Sequence, residues 1–135
     1  MAKRKRKIQD TDSLYNILRY YVDFMLYRSF KEIKYIGLEK IPTDGAVILA
    51  PNHANALMDA LVVLGRKKEP TVFVARADLF KIPILAKIFH FLKIMPIMRI
   101  RDGVSEVKKN DDTIQKSIDV LLDKVPFCIL PEGTH

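Results

Sequence analysis

The sequence predicts an α/β protein: a mostly parallel sheet flanked by helices and preceded by an amphipathic helix at the N-terminus. The first observation is a set of short apolar runs over residues 46–50, 71–75 and 127–130, typical of strands buried on both faces. The second is that segments with helical spacing separate these runs. Strands that alternate with helices favour parallel pairing, because each connecting helix packs back onto the sheet.

Composition limits the classes of protein to consider. The chain has 135 residues, enough for one domain, and its 49% hydrophobic and 29% charged residues exclude intrinsic disorder. Cys128 is the one cysteine, which excludes a disulfide scaffold and favours a reducing compartment. Charges interrupt the N-terminal apolar stretch, and no run reaches the ~20 apolar residues of a spanning helix. We therefore expect neither a secretion signal nor a membrane span.

A basic tail over residues 1–11 carries much of the formal net charge of +7, because five consecutive basic residues occupy positions 3–7. Such a tail can bind nucleic acid or an anionic bilayer, and composition does not choose between them.

The next segment, residues 12–33, is predicted to be an amphipathic helix capped at residue 11, 12 or 13. Its apolar residues cover about 200° of the helix surface. Asn16, Arg19 and Asp23 form a narrow polar stripe. A face this wide suits either packing on the domain or a position among lipid headgroups, and both interpretations stay open.

The remaining chain is predicted to alternate strands and helices. Pro96 interrupts one strand and indicates a sheet edge or a bulge there. A Pro at the first turn supports one helix, and Asp111 or Asp112 is the predicted cap of another. The expected strands cover 34–36, 46–50, 71–75, 94–100 and 127–130, and the expected helices cover 56–64, 83–92 and about 111–124.

Polar residues follow three of these strands, where α/β sheets carry their sites. The first group runs from Asn52 and His53 to Asp59, the second is residues 99–103, and the third is residues 131–135. These segments resemble the successive sequence blocks of the PlsC-like glycerolipid acyltransferases, which include lysophosphatidate and glycerol-phosphate acyltransferases. Three motifs in the family's order, over a match from about residue 35 onward, are far more specific than any one of them.

The resemblance implies transfer of a fatty acyl group from a thioester to a hydroxyl of a phosphorylated glycerol or lysophospholipid, in phospholipid synthesis. The donor would be acyl-CoA or an acyl carrier protein thioester, and no cofactor or metal is expected. An imidazole is well matched to take the proton of the attacking alcohol, which is the role implied for His53. A carboxylate behind it fixes the tautomer and stabilises the imidazolium, which is the role implied for Asp59.

The spacing between His53 and Asp59 departs from the family's usual pattern. Five residues separate them here, where the family's block has four. On one continuous helix the two side chains would lie roughly 120° apart and could not pair. We therefore expect His53 in the turn before the helix, Asn55 as the cap, and Asp59 in the first turn facing back.

The resemblance assigns the other matched residues to substrate binding. Asn52 belongs to the histidine block, and Arg99 would hold the acceptor's phosphate through two parallel hydrogen bonds. Arg101 would add a second contact on the same side if the strand continues. Glu132, Gly133 and Thr134 would bind the acceptor.

The resemblance makes residues 34–135 an acyltransferase domain that stops within its third motif, so an incomplete domain is expected. The implied location is the cytoplasmic face of a membrane, with peripheral or monotopic attachment to its anionic surface. His90 is expected to be a partly buried structural residue and Cys128 a small buried hydrophobe. The histidine and carboxylate spacing gives a zinc site no support.

Two other function classes are weighed against an enzyme. One is a non-catalytic, membrane-peripheral binding module that keeps the fold and Arg99 but has lost chemistry through the altered spacing. The other is a nucleic-acid binder that uses the basic tail, which is disfavoured because the body lacks a basic face with interleaved aromatics.

Overall fold

A computed structural model describes residues 5–52, 55–67 and 69–130. Four parallel strands form one sheet in the order β1-β4-β2-β3 within these residues. The α/β class and the parallel pairing predicted from the sequence are therefore confirmed. The strands are β1 Ile48–Leu49, β2 Val72–Arg76, β3 Ile94–Ile97 and β4 Phe127–Cys128. The helices are α1 Ser13–Ser29, α2 Ala56–Gly65, α3 Pro83–Phe91, α4 Val104–Val107 and α5 Asn110–Leu122.

The core lies between the sheet and the helices that cover it. Its centre is formed by Val72, Met95, Val120 and Phe127, which come from three strands and α5. Cys128 is fully buried beside them, and burial raises the pKa of its thiol to about 11. Its predicted role as a small buried hydrophobe is confirmed.

Four strand predictions need correction, and one of them is the run over 127–130, because residues 129–130 lie beyond the end of β4. Residues 34–36 form no strand, and residues 98–100 lie beyond the end of β3. The run over 46–50 contributes only two paired residues, and Ile48 is 58% exposed because β1 is an edge strand. Pro96 lies in β3 at the opposite edge, as its missing N–H predicts.

Helix prediction succeeds for position and fails for two details. Asp12 caps α1, and its Oδ1 accepts a hydrogen bond of 2.8 Å from the Tyr15 backbone N–H. The predicted cap of α5 at Asp111 or Asp112 is wrong, because the helix already includes both residues and no side chain caps it. The short α4, just before it, was not anticipated.

The orientation of α1 differs from the predicted polar stripe. Arg19 is buried against the domain, where its Nη1 lies 3.4 Å from Asp23 Oδ1 and its Nη2 donates a 2.7 Å hydrogen bond to the Lys67 carbonyl. Six large apolar or aromatic residues of α1 instead face outward and are 58–82% exposed: Leu14, Ile17, Tyr20, Tyr21, Phe24 and Tyr27. The inward face thus contains a charged side chain that the amphipathic pattern assigned to solvent.

Residues 5–10, which we call the N-terminal strap, pack on the domain. Gln9 is buried, and its Nε2 donates a 2.7 Å hydrogen bond to Asp123 Oδ2, which also pairs with Lys7 at 3.1 Å. Lys93 Nζ donates to the backbone carbonyls of Ile8 and Asp10 at 2.9 and 2.5 Å. Part of the predicted basic tail is therefore fixed to the body of the protein. None of the helices within residues 5–52, 55–67 and 69–130 has the length and hydrophobicity of a membrane span.

Candidate active site

Two of the three sequence blocks lie wholly or partly within the described residues, and each follows the carboxyl end of a strand. Asn52 follows β1 and is exposed, and residues 99–103 follow β3. His53 and the third block, which contains Glu132, Gly133 and Thr134, lie outside the described residues. The described part of the site comprises Asn52, Asp59, Arg99 and Arg101.

Asp59 lies in the first turn of α2, as the spacing argument requires. Its Oδ2 accepts a 2.7 Å hydrogen bond from the backbone N–H of Asn55, the residue that precedes the helix. Asn55 occupies the predicted cap position, but its side chain makes no capping hydrogen bond. The Asp59 carboxylate instead satisfies the N–H of the cap residue itself, and it is thereby turned back toward the start of the helix.

Arg99 is half-buried and fixed by Asp102. Its Nε and Nη2 donate hydrogen bonds of 3.1 and 2.9 Å to the two carboxylate oxygens, and its backbone N–H donates a third of 2.8 Å. These bonds lower the pKa of Asp102 to about 2. A guanidinium has five N–H donors, and the contacts with Asp102 use only Nε and Nη2. The pairing therefore orients the group without exhausting its capacity to bind an oxyanion.

Arg101 does not lie where a continued strand would place it. The chain leaves the sheet after Ile97 and makes a short 3-10 turn, Ile100–Asp102, so the alternation of strand side chains no longer applies. Arg101 is exposed on this turn. The strand does not continue to Arg101, so the condition under which Arg99 and Arg101 would share one side is not met, and the binding role of Arg101 stays a prediction.

Arg76 is a site candidate that sequence reasoning missed. It ends β2 in register with Ile97 of β3, and its Nε and Nη2 bind Asp78 at 3.1 and 2.6 Å. The hydrogen bonds between Arg76 and Asp78 are the main reason that the pKa of Asp78 is lowered and that of Arg76 is raised. Arg99 makes a smaller contribution to the first shift and Asp102 to the second, so the two ion pairs lie within electrostatic reach of each other. Arg76 directly follows the predicted strand over residues 71–75. Its position at the carboxyl end of a buried strand is the signal that could have identified it.

The arrangement therefore places two guanidinium groups near the carboxyl ends of adjacent strands. Each is held by an aspartate, a geometry suited to binding phosphate oxygens. No group of three or more His, Cys, Asp or Glu side chains able to hold a metal ion occurs in the part of the chain that the structure describes.

A comparison with models of protein families matches the larger part of the chain. The model described as Acyltransferase covers residues 32–135, which include the whole sheet and all three sequence blocks. No curated protein and no solved structure matches the chain. Because the matched region is most of the sequence, the chain belongs to the acyltransferase family.

Proposed function

We propose that this acyltransferase transfers a fatty acyl group from an acyl thioester to a hydroxyl of a phosphorylated glycerol or lysophospholipid, as in phospholipid synthesis. The observation that carries the proposal is the orientation of the Asp59 carboxylate, which accepts a hydrogen bond from the backbone N–H of Asn55 at the start of α2. Asn55 is two residues after His53 in the sequence. The thioester of coenzyme A or of acyl carrier protein is a co-substrate, and the reaction needs no cofactor.

In the proposed reaction, the His53 imidazole takes the proton of the acceptor hydroxyl as its oxygen attacks the thioester carbonyl carbon. Asp59 holds the imidazole and stabilises its protonated form. The carbon–sulfur bond then breaks, and the departing sulfur takes the proton from the imidazolium. An ester and a free thiol result, without an acyl-enzyme.

The acceptor's phosphate is proposed to bind Arg99, with Arg76 as a neighbouring contact. Two guanidinium groups at adjacent strand ends support this role, since both are already oriented by Asp78 and Asp102. The resemblance adds Asn52, Arg101, Glu132, Gly133 and Thr134 to the acceptor-binding residues.

A thiol-release assay with acyl-CoA and lysophosphatidate tests the reaction. His53→Ala is expected to lower the rate by ~10²-fold or more, because a general base is removed. Asp59→Asn should lower the rate and also shift the acidic limb of the pH–rate profile to lower pH, because the imidazolium of His53 loses its stabilising carboxylate; loss of a helix-terminal hydrogen bond alone would not do this. Asp112→Asn, on the exposed face of α5, is the matched control and should leave both unchanged. An unchanged rate in His53→Ala would refute the mechanism, and a chain without turnover that still binds lysophosphatidate would favour the binding module.

The arginine role has a separate readout. Arg99→Gln is expected to raise KM for lysophosphatidate at least tenfold and to leave KM for the thioester unchanged. Lys108→Gln, an exposed cation outside the cluster, is the control. Equal changes in both KM values would argue against phosphate binding by Arg99.

We also propose that the protein works peripherally at the cytoplasmic face of a membrane, with α1 at the surface. The exposed face of α1 supports this, because six large apolar or aromatic side chains project from it and Arg28 lies among them. Co-sedimentation with vesicles that contain anionic lipid should fall at least tenfold in a double variant Ile17→Asp, Phe24→Asp. Asn16→Asp adds a charge on the same helix and should have a much smaller effect; equal losses would refute the orientation.

A further inference from the structure

A cleft of about 870 Å³ runs along the free edge of β3, between α3 and α5. Its walls include apolar residues of the strand and of the turn after β2, among them Ile94 and Phe80. The N-terminal strap closes one end. Of the candidate active-site residues that the structure describes, neither Asn52, Asp59, Arg99 nor Arg101 lines this cleft.

The charges around this cleft are mostly positive. Five basic residues line it, and Asp119 is the one carboxylate among the described lining residues. Lys116 pairs with Asp112, and Arg6 and Lys7 pair with acids outside the lining. Lys5 and Lys87 form no ion pair within the described part of the chain. The cleft therefore presents cations whose charge is not balanced within the cleft itself.

The cleft is built before any ligand arrives, because the strap is anchored. Lys93 is buried beneath it and holds the carbonyls of Ile8 and Asp10, while Asp123 holds Lys7 and Gln9. These contacts keep the strap's basic residues at one end of an apolar groove.

His90 is exposed and lines the same groove, which corrects the expectation that it is a partly buried structural residue.

We propose that this cleft binds an amphipathic organic phosphate, with the phosphate among Lys5, Lys87 and Lys116 and the apolar part along Ile94 and Phe80. The volume lies within the range of small-molecule sites, which combine apolar walls with a few polar groups. An apolar wall gives no advantage to a bare anion, whereas an ester with an apolar body uses both features. A lipid headgroup and a nucleotide share this chemistry, and the experiment distinguishes them.

Calorimetric titration of the full chain with three probes tests the site. The probes are octyl phosphate, adenosine 3′,5′-bisphosphate and inorganic phosphate. We expect saturable binding of one molecule of at least one of the two esters, and affinity for inorganic phosphate at least tenfold weaker. Preference for octyl phosphate identifies a lipid-like ligand, and preference for the adenosine probe identifies a nucleotide.

Charge reversal locates the binding. Lys87→Glu combined with Lys116→Glu should weaken the ester at least tenfold, and both residues are exposed, so folding should be unaffected. Lys31→Glu with Lys108→Glu changes the net charge equally away from the cleft and should alter affinity less than twofold. Arg99→Gln, which removes the proposed acceptor-phosphate contact, should bind the ester as the parent does, so failure of this site and failure of the transfer reaction are distinguishable. Absence of saturable ester binding, equal binding of inorganic phosphate, or an equal loss in the control would overturn the proposal.

Discussion

Replacing Lys93 by Met should release the N-terminal strap and destabilise the protein. Lys93 is 2% exposed, and its Nζ donates to the carbonyls of Ile8 and Asp10 and lies 4.5 Å from the centre of the Tyr15 ring. Hydrogen bonds from a charged donor contribute about 1.5–3 kcal/mol each, and a desolvated cation–π contact about 2 kcal/mol.

Burial of the ammonium group opposes these contributions. Desolvation is the main reason that the pKa of Lys93 is lowered, followed by repulsion from Arg6, and the attraction of Asp12 and Asp10 is weaker. Burying one ion costs several kcal/mol, which offsets much of the gain. We therefore expect Lys93→Met to lower the free energy of unfolding by about 2 kcal/mol, equivalent to a fall of about 8 °C in Tm for a chain of this size.

Thermal denaturation followed by circular dichroism measures this loss, and trypsin cleavage at the basic residues of the strap reports its release. Lys93 and Lys124 both have positive φ, at 62° and 58°, so glycine relieves the same backbone strain at either position. Lys124→Gly is thus the matched control for Lys93→Gly, and only the second should destabilise. An unchanged Tm and an unchanged trypsin rate in Lys93→Met would refute the anchoring argument.

Three further outcomes are expected. Gly65→Val should lower the free energy of unfolding, measured in urea, by about 2 kcal/mol, because a Cβ there would lie 2.8 Å from an α1 side chain. A Cβ at Gly45 would meet nothing within 4 Å, so Gly45→Val is the control and should lower it by less than about 0.5 kcal/mol. Equal losses in the two variants would contradict this packing. The pKa of Asp102, measured by NMR, should be about 2 and should return toward 3.8 in Arg99→Met. The ion pair therefore stabilises the fold above pH 3.8, and this stabilisation is lost as the pH falls through 2. A pKa of Asp102 that is the same in Arg99→Met would count against the pair. Cys128 should react with a disulfide reagent at pH 8 at least 100-fold more slowly in the native protein than in urea, since its pKa is about 11; comparable rates would mean that the thiol is accessible.

The sequence was sufficient to predict the fold class because the apolar runs over 71–75 and 94–97 are separated by helical segments, and both became strands. Pro96 also marked an edge strand correctly. The order of the strands in the sheet could not be predicted, because the length of an apolar run does not indicate which strands pair with it. The exposure of Ile48 follows from the edge position of β1, which only the sheet order reveals.

The burial of Arg19 and the pairing of Arg99 could not be predicted from sequence periodicity, because both depend on the side chain's hydrogen-bond partners. Arg19 is polar by type, yet the Lys67 carbonyl and Asp23 receive its donors at the contact with the domain, so it packs inward. Asp59 was placed correctly in the first turn, because a helix start after Asn55 fixes its phase. The pairing of Arg99 with Asp102 depends on a 3-10 turn that the predicted continuous strand did not include.

The position of β4 has a consequence for how the protein is made. Phe127 pairs with both Ile48 and Val72, and Cys128 pairs with both Leu49 and Phe73, so β4 alone joins β1 to the rest of the sheet. Until the β4 residues have been synthesised, β1 therefore has no neighbour in the sheet and one edge of β2 is unpaired. Unpaired strand edges are prone to aggregation, so the late synthesis of β4 extends the time during which this chain can pair with other chains.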